Sequence, residues 1–149
     1  MEEVEITRKL AEFVVSTRYE DLPGEAVEAA KMMILDTLGV GVGAYVTSKH
    51  EVDPVVKVAE DIGGKEESTV IVSGRKTSWF NAIFINGTFM HSLDYDDTRP
   101  GLFIHTGAVV VPSVLALCEK LGNSGKEAIL AAVVGHDQLP VHLFCNGQV

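Results

Sequence analysis

His91 to His105, HSLDYDDTRPGLFIH, holds two histidines, three aspartates, a threonine and an arginine in fifteen residues. The stretch lies between two strongly apolar segments, whereas soluble domains usually put such groups on their outer faces. Three chemistries suit these residue types. A solvated helix end would use Asp96, Asp97 and Thr98 to bond nearby backbone, as Asx and Thr turns do. A metal site could be built from His and Asp three residues apart on a helix, with His105 arriving from the following loop. Zinc or iron sites usually add a further close His or Glu, which this stretch does not offer. An acid/base site would divide proton abstraction and donation between a buried Asp and an imidazole, acting on a small carboxylate.

The spacing says which groups could act together. On a helix, residues three and four apart share a face, so His91, Asp94 and Thr98 should project together, with Asp97 one step around. Carboxylates at a helix C-terminus meet the negative end of the macrodipole, at a cost of about 0.3 to 1 kcal/mol per exposed charge. Three of them there need a compensating partner.

The elements that must position these groups follow from periodicity. Ser78 is expected to cap a helix, SWFNAIFINGTFMHSLDYDDT, with an apolar face of Trp79, Phe80, Ile83, Phe84, Phe89 and Leu93, stopped by Arg99-Pro100-Gly101. Thr106 should cap another helix to about Leu121, in which Pro112 either makes a kink or marks the true start. Earlier helices are expected at about 3–18, 25–45 and 53–62, the last with Pro54 in its first turn, and a further helix opens after Gly125. Ser68 to Val72, STVIV, reads as a short extended segment. The expected fold class is mainly α, a single domain of about six helices with at most one short strand.

Composition excludes several function classes. Twelve basic against twenty-one acidic side chains give a formal charge of -9, which repels a phosphate backbone. Nucleic acid is not an expected partner, and no polybasic or amphipathic anchor points to a membrane. The acidic start, MEEVEITRKLAEFVV, lacks the character of a signal peptide, so a cytoplasmic location is expected. Cys118 and Cys145 form no disulfide framework and read as buried, inert thiols. LGVGVGAY follows a helix and is spaced GxGxG, so it reads as a helix-packing face rather than a dinucleotide turn. Arg75-Lys76 reads as a solvated loop, and His136-Asp137 as a helical pair without metal.

The run NGTFMHSLDYDDT, followed by IHTGAVVVPSVLALCEKLGNSGKEAILAAVVGHD, resembles the signature of the MmgE/PrpD family, which includes 2-methylcitrate dehydratase, cis-aconitate decarboxylase and iminodisuccinate epimerase. That family typically shows NGxxxHxLDFDDT, then a histidine loop before a VVP helix, then G-x-SG and a helix ending VVGYE. The likeness covers about residues 5 to 137, including KMMILDTLGVGVGA, which resembles the family's second helix. It implies a helical domain without metal or cofactor, forming one side of an active site for a di- or tricarboxylate. The implied activity is a 2-methylcitrate dehydratase-like lyase of propionate catabolism.

Carried over by position, Asp94 and Thr98 match the family's active-site pair, and His105 matches the loop histidine. His105 would then give or take a proton, Asp94 would orient or share it, and Thr98 would bond a substrate carboxylate. His91 and Asp97 are candidates for substrate binding, and Asp96 for a structural role. Family members are several times longer, and their pocket is completed by lysines, histidines and tyrosines from later segments. After Asp137 the likeness is expected to stop, with Pro140 breaking the helix. Two expectations follow: a truncated N-terminal portion, inactive until another chain completes it, or a catalytically silent helical module that forms homo-oligomers.

Overall fold

The computed structural model describes residues 6–98 and 104–144. In chain order these form α1 (Ile6–Ser16), a 3-10 turn (Tyr19–Asp21), α2 (Gly24–Thr47), α3 (Lys49–Ile62), β1 (Ser68–Val70), β2 (Arg75–Thr77), α4 (Trp79–His91), α5 (Gly107–Leu121) and α6 (Gly125–Phe144). The fold is mainly α, as expected. What reads in sequence as one extended segment is half of an antiparallel hairpin, with Ser68 opposite Thr77 and Val70 opposite Arg75.

Helix α4 is central, packing against α2, α3, α5 and β1. It starts where the sequence places its cap: Ser78 Oγ accepts from Asn81 N at 3.3 Å. Its buried residues Ile85 and Phe89 join Ala44, Val52, Ala59 and Val70 in one core cluster, while Met90 joins Ala108 and Val111 in another. Two glycines permit the tight crossings. A Cβ on Gly87 would lie 3.2 Å from the Ala108 carbonyl oxygen, and one on Gly41 would lie 3.1 Å from Met90 Cγ. Gly41 belongs to LGVGVGAY, so that stretch supplies a packing face.

The same helix carries two buried amides that sequence periodicity does not reveal. Asn81 Nδ2 donates to the Ala59 and Gly63 carbonyls at 2.9 and 2.8 Å, satisfying orphan acceptors at the end of α3. Asn86 accepts from Ile71 N and donates to Thr69 O, both at 3.0 Å, which fastens the hairpin to α4.

Several boundaries differ from expectation. Helix α4 ends at His91 rather than Thr98, and Asp94 takes a left-handed backbone with φ of 49°. Aspartate tolerates that region better than most residues, and leaving the helix removes three carboxylates from its negative end. Helix α3 begins at Lys49 and holds Pro54 inside it, and α5 holds Pro112. Helix α6 passes Gly135 and Pro140 to reach Phe144. A proline removes one backbone hydrogen bond, and the cooperative ladder on either side outweighs that loss.

Helix α2 is long and apolar enough to cross a membrane by length and composition alone. In this fold it packs against α3, α4, α5 and α6, burying Ala30, Thr37, Val40, Gly41 and Ala44. Met32, Leu35, Val42 and Val46 remain exposed on it.

Candidate acid/base site

The site is built where α4 stops and α5 begins. His91 is the last residue of α4, and the chain then turns so that Asp96 comes back beneath it. The Asp96 side chain is 0% exposed. Its Oδ2 lies 2.9 Å from His91 Nδ1 and its Oδ1 3.2 Å from the same nitrogen. His105, on the loop entering α5, places Nδ1 3.3 Å from Asp96 Oδ1. The two imidazoles meet edge to face with centroids 4.9 Å apart. A carboxylate removed from water needs partners of this kind, because its desolvation cost is otherwise large.

The other side of His105 faces Asp94. His105 Nε2 is 3.9 Å from Asp94 Oδ1, and the Asp94 side chain is 85% exposed. One imidazole is thus bracketed by a buried carboxylate on Nδ1 and an exposed one near Nε2. His105 Nδ1 is buried, faces Asp96 within ion-pair range, and has no aligned hydrogen-bond partner.

Asp97 has a different role from its neighbours. Its Oδ1 accepts from Gly107 N at 2.7 Å, so it caps the first turn of α5 from the preceding loop. A Cβ on Gly107 would collide with Asp97 Oδ1 and Thr37 Oγ1, which explains why the closest approach falls on glycine. Thr106 precedes α5 but makes no side-chain cap, and the hydroxyls of Thr37 and Thr106 are buried without partners. Thr98 is exposed at the edge of the described segment. Arg99, Pro100 and Gly101, the expected stop signal for α4, lie outside the described residues.

A groove of about 740 Å³ runs from the His pair between α4 and α5, lined by Phe84, Gly87, Ala108, Val109 and Pro112 among others, with His91 and His105 at its polar end. No lysine or arginine among the described residues lines it. The basic pair expected on a loop, Arg75 and Lys76, is instead on β2. Arg75 Nη1 is 2.8 Å from Glu60 and Lys76 Nζ 3.0 Å from Glu119. Cys118 is an unpaired, half-buried thiol whose burial pushes its pKa up; Cys145 lies outside the described residues. His136 Nδ1 is buried and unpartnered.

The structure therefore brings together His91, Asp94 and His105 from the expected set, gives Asp97 a backbone partner, and leaves Thr98 exposed. The residue that sequence reasoning placed in a supporting role, Asp96, is the hub. Its signal was the five-residue offset from His91, which becomes meaningful only when the helix ends at His91.

The chain is thus a helical domain that holds two imidazoles around a buried carboxylate, beside an open groove. Residues 8–141 match the MmgE/PrpD N-terminal domain, and the chain belongs to the MmgE/PrpD family. That match continues through Pro140, beyond the expected end at Asp137. Among relatives, the cis-aconitate decarboxylase of Aspergillus terreus is 28% identical over 141 residues, covering 91% of this chain and 28% of that protein. The cis-aconitate decarboxylases of Mus musculus and Homo sapiens are 31% and 30% identical, covering 87% of this chain and 27% of each. The chain thus spans under a third of the length of these relatives.

Proposed function

We propose that this chain is the N-terminal part of a lyase that processes a small di- or tricarboxylate by acid/base proton transfer, with no metal or cofactor in the reaction. The observation that carries the reading is His105 held between Asp96 and Asp94. With its proton on Nδ1, on the side of Asp96, the neutral imidazole keeps Nε2 as the basic nitrogen on the side of Asp94. A proton taken at Nε2 yields an imidazolium with a carboxylate on either side. The same nitrogen can return the proton to carbon or to a leaving oxygen. Thr98 is assigned as a donor to a substrate carboxylate, with His91 and Asp97 at the edge of the binding region.

A substrate with two or three negative charges needs cations, and the groove offers none among the described residues. A complementary chain, or a second copy, is proposed to supply them, since charge developing on a carboxylate must be met by positioned donors. A cytosolic setting suits the unpaired Cys118 thiol. The purified chain alone is expected neither to release carbon dioxide from cis-aconitate nor to remove water from 2-methylcitrate. Robust turnover by the chain alone, abolished by His105→Ala, would contradict the need for a completing partner.

A second reading, a silent oligomerisation module, is favoured by the exposed apolar side chains of α2 and by Phe80 and Phe84 on α4. Light scattering distinguishes the two: a stable homo-oligomer with no affinity for citrate-like acids supports the module, whereas carboxylate binding restored by a completing chain supports the lyase.

A further inference from the structure

We propose that His91, Asp96 and His105 form a binding site for a divalent transition metal of the zinc class. One donor atom from each of the three lies within 4.8 Å of the others. Measured from the one oxygen Asp96 Oδ1, His91 Nδ1 lies at 3.2 Å and His105 Nδ1 at 3.3 Å, close to the separations between ligands on one ion. Zinc bonds to nitrogen and carboxylate oxygen are about 2.0 to 2.2 Å long, which puts tetrahedral donors roughly 3 to 4 Å apart. Closing the remaining gap requires His91 to turn toward His105, and its 54% exposed side chain would keep Asp96 as a ligand while doing so.

Three further features point to a cation. The Asp96 carboxylate is fully buried, and among the described residues its ionic partners are the two imidazoles, with no lysine or arginine. The buried His105 Nδ1 has no aligned hydrogen-bond partner, so an ion can displace its proton there without breaking a hydrogen bond. Access comes from the open side of His91, next to the groove. Two imidazoles and one carboxylate select zinc, nickel or cobalt over magnesium, which demands an oxygen shell. Three protein ligands leave a fourth position for water.

The site shares His105 with the proposed proton-transfer centre, so a bound ion would hold that imidazole out of proton exchange and inhibit. Binding itself needs no turnover, which keeps its test separate from that of the proposed reaction. The purified chain is titrated with zinc chloride by calorimetry and with cobalt chloride by visible absorption. Saturable binding of one ion per chain is expected in the micromolar range, with the intense visible bands of low-coordinate cobalt, and no response to magnesium. His91→Gln, at an exposed position, and Asp96→Asn should each weaken binding by about tenfold or more. His50→Gln, His136→Gln and Cys118→Ser should leave it unchanged. Circular dichroism confirms the fold of each variant, and His91→Gln decides the matter if Asp96→Asn unfolds. Absence of saturable zinc binding, or binding that survives His91→Gln and Asp96→Asn in folded protein, overturns the proposal.

Discussion

Two polar networks sit on the faces of α4, and they are finished to different degrees. Around the hairpin every major group is paired. Glu119 accepts from Thr69 N and Oγ1, both at 2.7 Å, and from Lys76, while Ser68 Oγ donates to Ala116 O at 2.6 Å. At the other end of α4, Thr37, Thr106 and His105 Nδ1 are buried without aligned partners, Asp94 holds a left-handed backbone, and its carboxylate is exposed. Satisfied buried polar groups fasten a fold, and unsatisfied ones mark places where a ligand or proton completes the bonding. The hairpin network is structural; the α4–α5 junction is where chemistry is expected.

Substitutions can break this contrast. The largest expected effect is functional: in an enzyme completed by the remaining polypeptide of a related decarboxylase, His105→Ala should lower turnover by about 10² to 10⁴, the usual contribution of a positioned acid or base. Its unfolding free energy should fall by about 1 to 2 kcal/mol, because His91 still pairs the buried Asp96 carboxylate when His105 is gone. Asn86→Ala should do the opposite. Removing the amide leaves Ile71 N and Thr69 O without partners, costing about 2 to 4 kcal/mol in urea melts. Gly107→Ala, which drives a methyl against Asp97 and Thr37, should cost about 1 to 3 kcal/mol.

The smallest effect is pH-dependent. Burial alone would raise the Glu119 carboxyl, but hydrogen bonds from the Thr69 hydroxyl, Lys76 and the Thr69 backbone outweigh it and hold the group below its ordinary value of 4.5. A depressed folded value contributes stability above the unfolded value, and that stability is lost as pH falls through the folded one. Glu119→Gln should therefore destabilise by about 1 kcal/mol at neutral pH, discounted for partial exposure. The difference from the parent should shrink below pH 4.5. A constant difference across that range would show that Glu119 acts through packing instead.

Much of the scaffold is legible in the sequence, because apolar residues three and four apart mark helices whatever packs on them. The Ser78 cap and the glycine face at Gly41 are legible for the same local reason. The hairpin is not, since RKT carries no strand pattern and forms by pairing with β1, which Asn86 and Glu119 fasten from other elements. In the site, the contact of Asp94 with His105 follows the family likeness. Asp96 as hub does not, because continuing the helical period past His91 turns it away from the face shared by His91, Asp94 and Thr98. Where a helix stops is decided by the left-handed turn at Asp94 and by Asp97 capping α5, contacts that periodicity does not encode.

The most direct test supplies the chain with the remaining polypeptide of a related decarboxylase and follows carbon dioxide release from cis-aconitate and water loss from 2-methylcitrate. Turnover of either acid by the pair, absent from each part alone and lost in His105→Ala, is the predicted result. Turnover that persists undiminished in His105→Ala would contradict the assignment of the α4–α5 junction as the proton-transfer site.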